Sequence, residues 1–147
     1  MRRIIPPAWL LISLIVMTGL HFYLPVARII EGPWSYLGAA LIVIGIIVSA
    51  TGAGMFRRAG TPVKPFERST TLVTQGIYRF TRNPMYLGLL LVLIGAAIAF
   101  GTLSPWLPIP VFFLIVRTQF VRGEEEFLEG IFGAEYLAYK KRVRRWL

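Results

Sequence analysis

From residue 35 to residue 55 the chain carries no charged side chain. Wound into a helix, such a run is long enough to cross the ~30 Å hydrocarbon core of a bilayer. Residues 8–24 form a similar stretch, and two more apolar segments cover 85–100 and 103–121. The third is at the short limit for a span, about 17 residues. Segments three and four are separated only by "GTLS", which predicts a tight helical hairpin. Pro105, Pro108 and Pro110 crowd the start of the fourth segment, where an irregular or kinked beginning is expected. At 147 residues, 56% hydrophobic and 16% charged, the chain is too apolar for an ordinary soluble domain of its length.

The expected fold is therefore an all-α integral membrane domain of about four transmembrane helices. One domain covers 1–147: helices 1 and 2 in 1–56, a loop and turn in 57–84, the hairpin of helices 3 and 4 in 85–121, and a cytoplasmic, amphipathic C-terminal helix in 122–147. The basic start and apolar stretch of "MRRIIPPAWLLISLIVMTGL" also suit a signal peptide, but no clear small-x-small cleavage site follows. A retained helix is the favoured expectation.

Charge placement sets the expected orientation. Arg2 and Arg3 precede the first segment. Arg57, Arg58, Lys64, Arg68, Arg79 and Arg82 lie between the second and third, and Arg122, Lys140, Lys141, Arg142, Arg144 and Arg145 follow the fourth. The opposite connections hold only Arg28 with Glu31, so both termini and the long loop are expected in the cytoplasm. The formal net charge of +9 is accounted for by this asymmetry and by attraction to anionic lipids. No nucleic-acid-binding module accompanies it, and no nucleic-acid partner is expected. The absence of cysteine removes disulfides, thiolate metal sites and cysteine nucleophiles, and a single histidine, His21, leaves little scope for a metal site.

Function is expected on the cytoplasmic side. The loop before the third segment contains Phe66, Leu72, Val73, Ile77, Tyr78 and Phe80, enough apolar surface to pack rather than float. The tail, "GEEEFLEGIFGAEYLAYKKRVRRWL", spaces its apolar residues by three and four with acids first and bases last. That order suits a helix aligned with its macrodipole and bent near Gly130 and Gly133. The plain account of Glu124, Glu125 and Glu126 is a favourable first helical turn. They also emerge directly below a membrane helix beside Arg122, at the same depth as Arg79 and Arg82. Acids and arginines so placed suit a zwitterionic, polyhydroxylated ligand.

Other features have plainer expectations. His21, near the outer end of segment one, reads as an interfacial side chain. Trp9, Trp34, Trp106 and Trp146, with Tyr23 and Tyr36, fall at span ends as an aromatic belt. "TGAG" at 51–54 lacks a third glycine and a preceding strand, which points to close helix packing and not to a dinucleotide site; Gly88 and Gly95 fit packing too. Arg117 within segment four is either functional or snorkels to the cytoplasmic surface.

Two motifs carry a more specific signal. Gly76-x-Tyr78-x-x-x-Arg82-Asn83-Pro84-x-Tyr86-x-Gly88 is followed, beyond the hairpin, by Glu124-Glu125-x-x-Leu128-x-x-x-Phe132-Gly133-x-x-Tyr136-x-x-Tyr139 and Lys140-Lys141-Arg142-Val143. In this order they closely resemble the isoprenylcysteine carboxyl methyltransferase and phospholipid methyltransferase superfamily, over the chain from about residue 61 onward. The resemblance implies a helical membrane enzyme using S-adenosyl-L-methionine, with the cofactor between the turn before the third helix and the helix after the fourth. A lipophilic acceptor would reach it from the bilayer. The implied cofactor-binding residues are Gly76, Tyr78, Arg82, Asn83, Pro84, Tyr86, Glu124, Glu125, Tyr136 and Tyr139.

Within that reading, Arg82 or Arg122 would orient a carboxylate, and Glu125 or Tyr86 would take a proton from an amine or thiol acceptor. Two departures bear on the acceptor. Asn83 stands where the isoprenylcysteine enzymes have histidine, and Arg144 replaces a common proline. Asparagine cannot take a proton. The acceptor expected is a small lipid or hydrophobic molecule, methylated on a carboxylate, amine or thiol, in a bacterial or archaeal membrane; many bacterial relatives share the asparagine. The rival classes are a small four-helix transporter, opposed by the lack of any acidic residue within the spans, and a non-catalytic lipid-binding membrane protein.

Overall fold

The computed structural model of the protein describes residues 4–63, 67 and 69–147. The expectations for Arg2, Arg3, Lys64, Phe66 and Arg68 lie outside the described residues. The chain is helical: α1 Pro6–Tyr23, α2 Tyr36–Arg58, α3 Pro84–Phe100, α4 Pro108–Ile115, α5 Arg122–Phe132 and α6 Ala134–Arg142. Short 3-10 turns occupy Gly32–Ser35, Gly76–Arg79 and Ser104–Trp106. Among the described residues there is no strand, only an isolated bridge between Arg28 and Thr102.

Among the described residues three helices are long and apolar enough to cross a membrane, Pro6–Tyr23, Gly32–Arg58 and Ser104–Phe132; Pro84–Phe100 is a shorter apolar helix. Proline starts several of them. In α1, α3 and α4 it occupies the first turn, where its missing N–H costs nothing and its fixed φ suits the helix. α3 ends at Gly101, whose φ of 71° is the left-handed C-terminal geometry that glycine adopts without strain.

α3 packs chiefly against α2, not against the helix that follows it. The hairpin expected between the third and fourth segments is thus a sequence neighbour but not the main packing pair. The physical reason is a register of glycines. Gly38, Gly45 and Gly52 recur every seven residues along α2, opposite Gly95, Gly88 and the Pro84–Met85 step of the antiparallel α3. A Cβ on Gly45 would lie 2.6 Å from the Gly88 carbonyl oxygen, and one on Gly95 would lie 2.6 Å from that of Gly38. The two backbones therefore touch, as helices in lipid do when small residues line the seam. Gly52 of the "TGAG" stretch belongs to this seam, whereas Gly54 faces open space.

The fourth segment also differs from expectation. It does not end at 121 with a separate tail helix from 122. α4 passes without a break through a π-helical stretch, Val116–Val121, into α5. The sequence holds no proline or glycine at that junction before Gly123, so nothing interrupts the backbone ladder. The continuous rod Ser104–Phe132 is 29 residues, about 43 Å at ~1.5 Å per residue. A ~30 Å hydrocarbon core leaves its last turns, with Arg122 and the glutamates, outside the spanning segment. The break comes at Gly133, with φ 50° and ψ −120°, and α6 turns back from there.

At one end of the bundle the connections are tied together: Ile29 and Ile30 N–H groups donate to Gly101 O, the Ser104 hydroxyl donates to Leu20 O, and His21 Nδ1 lies 2.8 Å from Thr102 Oγ1. His21 also stacks on Phe100, so its role there is packing. Of the expected aromatic belt, Trp34, Tyr23 and Tyr36 are exposed, while Trp9, Trp106 and Trp146 pack half-buried against the helix core. The opposite end holds the residues of the two motifs and forms the candidate site.

Candidate cofactor cavity

The site is assembled by three segments that converge on the N-terminus of α3. Gln75 to Asn83 form a tight turn, with the Tyr78 hydroxyl donating to Gly52 O of α2 at 3.4 Å. α6 crosses over this turn, and the Tyr139 hydroxyl donates to Tyr78 O at 2.7 Å. Tyr78, Tyr136, Tyr139 and Val143 are buried together there, with Leu72, Val73 and Ile77 packed around them. Of the loop's described apolar residues, Leu72, Val73, Ile77 and Tyr78 pack as expected, while Phe80 is 74% exposed.

The tail then reverses. Val143 is extended, with φ −121° and ψ 131°, and the residues after it lie along the turn before α3. Arg82 N–H donates to Arg144 O at 3.0 Å; the Asn83 side-chain amide and the Thr81 hydroxyl both donate to Arg145 O, at 3.0 and 3.2 Å. Trp146 finishes the strap by packing on Phe113 of α4, ring centroids 5.2 Å apart. Asn83 is therefore spent on holding the tail, a task its amide N–H performs as a donor.

A cavity of about 60 Å3 lies inside this assembly, between Tyr78, Arg82, Tyr86, Glu124, Tyr136 and Tyr139. Asn83, Pro84 and Glu125 line it too. The two motifs meet directly: the Tyr86 hydroxyl donates to Glu124 Oε1 at 2.7 Å, linking α3 to α5 across 38 residues of sequence. Tyr86 also faces Phe120 in the π-helical stretch, ring centroids 6.3 Å apart. That stretch sets the rotational register of α5, and with it the direction in which Glu124 and Glu125 project.

The two glutamates have different surroundings. Glu125 is buried and held by two arginines: Arg145 donates through Nε at 2.9 Å and Nη2 at 2.6 Å, and Arg82 Nη1 lies 3.3 Å away. The hydrogen bond to Glu125 raises the Arg145 pKa further above its already high ordinary value. Among the described residues Glu124 has no arginine partner. Burial pushes its carboxyl up to about 7; the Tyr86 hydrogen bond opposes this shift, and the charge on Glu125 adds to it. Burial likewise raises the Tyr78 and Tyr139 phenols, and pushes Tyr136 up to about 12 with help from Glu125 and against Arg82. All three tyrosines are neutral hydrogen-bonding walls at neutral pH.

Arg82 has a side chain only 9% exposed. Its contact with Glu125 is an ion pair without hydrogen-bond alignment; the guanidinium also interacts with the Tyr136 phenol, and among the described residues Nε and Nη1 are buried without a well-aligned hydrogen bond. Buried donors of a charged group are costly to leave unmade, so they mark a place where a ligand acceptor would be bound.

Of the residues singled out from sequence, Tyr78, Arg82, Asn83, Pro84, Tyr86, Glu124, Glu125, Tyr136 and Tyr139 all line this cavity. Gly76 lies on the far side of Tyr139, on a separate groove, and with φ 57° it makes the turn. Arg122 is exposed and does not line the cavity. Arg117 is half-buried in the π-helical stretch, away from both. Sequence reasoning missed Arg145, which holds Glu125, and Thr81, which helps hold the tail. Among the described residues no cluster of three or more acidic or histidine side chains could hold a metal ion.

The phospholipid methyltransferase family pattern matches residues 33–135. A probable protein-S-isoprenylcysteine O-methyltransferase of Oryza sativa subsp. indica is 31% identical over 120 residues, covering 77% of this chain and 60% of that protein. The protein-S-isoprenylcysteine O-methyltransferase of Saccharomyces cerevisiae is 32% identical over 114 residues, covering 73% of this chain and 46% of that one. The chain thus spans about half of the length of these relatives. An uncharacterised protein of Haemophilus influenzae is 43% identical over 63 residues, 43% of this chain and all of that protein. Because the family pattern runs through α2, the turn, α3, the fourth segment and the start of α6, the chain belongs to the phospholipid methyltransferase family, in the superfamily that includes the isoprenylcysteine methyltransferases.

Proposed function

We propose that the chain transfers a methyl group from S-adenosyl-L-methionine to a small lipid or hydrophobic acceptor at the cytoplasmic face of a bacterial or archaeal membrane. The observation that carries this reading is the Tyr86–Glu124 hydrogen bond, which brings the two distant motifs to one cavity. The donor set suits the cofactor. Arg82, with Nε and Nη1 buried without a well-aligned hydrogen bond, is the group to hold its carboxylate; Glu124, free of arginine, is the group to face its cationic end; buried tyrosine rings supply apolar and hydrogen-bonding walls for the nucleoside.

The cofactor supplies an electrophilic methyl on a sulfonium, which an acceptor displaces in line. The protein's contribution is then chiefly positioning, which can supply about 7–11 kcal/mol. Glu125, gripped by Arg145 and Arg82, serves as the structural anchor that fixes Arg82; Glu124 is the carboxylate left to accept a proton from an amine or thiol acceptor. The strap from the C-terminus closes the polar side, so a lipophilic acceptor enters from the apolar side of the bundle. Orientation follows from charge: Arg57, Arg58, Arg79, Arg122 and the basic tail gather at the site end, which supports that end as cytoplasmic.

The test is to incubate the purified protein and total membrane lipid with methyl-labelled S-adenosylmethionine. Label is expected in a lipid-extractable fraction, lost in E124Q and R82A. No label in any fraction, together with no cofactor binding, overturns the reading.

A further inference from the structure

A second recess lies on the opposite side of Tyr139 from the cavity. It is an open groove of about 500 Å3 between the Gly76–Arg79 turn and the last turn of α6, lined by Thr74, Gln75, Arg79, Tyr139 and Arg142. Among the described residues no acidic side chain lines it. Among the described residues neither arginine forms an ion pair: Glu125 is taken by Arg82 and Arg145, and Glu129 by Lys140. Two exposed guanidiniums on separate elements thus converge on one groove without a counter-charge, beside a threonine hydroxyl and a glutamine amide. Like charges facing a shared space repel unless an anion lies between them. Next to Arg79, Phe80 projects 74% exposed, an apolar side chain at the bundle end where the polar turn meets the first residue of α3.

We propose that this groove binds a phosphate group, with Arg79 and Arg142 as its two cationic sides and Thr74 and Gln75 as neutral donors. Planar guanidinium forks match phosphate oxygens, and two arginines from different elements fit a tetrahedral oxyanion better than a planar carboxylate. The phosphate is carried either by an anionic lipid headgroup, with Phe80 entering the acyl boundary, or by a free phosphate compound. The site stands independently of methyl transfer, since none of its charged residues lines the cavity.

The experiment titrates the full chain in a nonionic detergent with short-chain phosphatidylglycerol, and separately with inorganic phosphate, by calorimetry. Phosphatidylglycerol affinity should fall about tenfold or more in R79Q/R142Q, the loss of charge-assisted hydrogen bonds to one ligand. The control R57Q/K141Q removes the same charge from exposed positions outside the groove and should change affinity less than about twofold, as diffuse surface attraction does. Inorganic phosphate binding with the same dependence on Arg79 and Arg142 assigns the site to free phosphate; binding of the lipid alone assigns it to a headgroup. Equal losses in both double variants, or no loss in R79Q/R142Q, overturn the proposal. Should the double variant fail to fold, R142Q alone, at the exposed end of α6, decides in the same way.

Discussion

Arg145 grips both oxygens of Glu125, through Nε at 2.9 Å and Nη2 at 2.6 Å, and so fastens the end of the chain to the helix that leaves the membrane. Its own carbonyl accepts from Asn83 and Thr81. One residue therefore clamps the turn before α3 to the glutamates of α5. Glu125 is the neutralising centre of this clamp, with Arg82 on its other side.

The two partners should differ in their effect on stability. E125A leaves Arg82 buried without a counter-charge, a loss of about 3–5 kcal/mol. R145A leaves Glu125 still paired with Arg82, and should cost only about 1–3 kcal/mol. Thermal unfolding of the detergent-solubilised variants checks this order; R145A as damaging as E125A contradicts it.

The glycine seam predicts a second contrast. G45A puts a methyl against the Gly88 carbonyl and the Val92 backbone and should destabilise by about 1–3 kcal/mol. G54A meets no atom within 4 Å and should be neutral or slightly stabilising, because alanine is the better helix former. Unfolding midpoints of the two variants, measured side by side, are sufficient.

Much of this arrangement is legible in the sequence, and the rest fails for identifiable reasons. Apolar run lengths locate the helices, and the two motifs locate nine cavity residues, because each motif is local. Arg145 is not legible: it is one basic residue among several in the tail, and its partner is reached only after the chain turns at Gly133 and reverses at Val143. The pairing of α2 with α3 is half visible, since both carry glycine at seven-residue spacing, yet loop length alone reports only which helices follow one another. The end of the fourth segment was misplaced because charge marks where a helix leaves lipid, while only backbone chemistry marks where it stops. Arg122 looked equivalent to Arg82 by position, but the rotation set by the π-helical stretch turns it outward.

Glu124 gives the protein a pH dependence. Its carboxyl titrates near 7 when folded, against an ordinary value of 4.5, so the folded state binds the extra proton between these limits. Stability of the ligand-free protein should fall as pH rises from about 4.5 to 7, and E124Q should flatten that slope. Y86F removes the hydrogen bond that favours the carboxylate and should move the folded-state titration to still higher pH. A slope of opposite sign, or one unaffected by E124Q, contradicts the assignment.

The same group ties pH to the proposed ligand. A cation beside Glu124 requires the ionised carboxylate, so affinity for S-adenosylmethionine should rise with pH up to about 7 and level off above it. R82A should lower affinity about tenfold or more at every pH without moving the midpoint, since the proposed role of Arg82 is to hold the ligand's carboxylate.

Equilibrium binding of S-adenosylmethionine to the purified full chain, measured by calorimetry across this pH range, tests the central claim most directly. The account predicts saturable binding in the wild type, strengthening toward pH 7, and abolished or strongly weakened in E124Q and R82A while both variants remain folded. Undetectable binding by the wild type, or equal affinity in all three proteins, would contradict it.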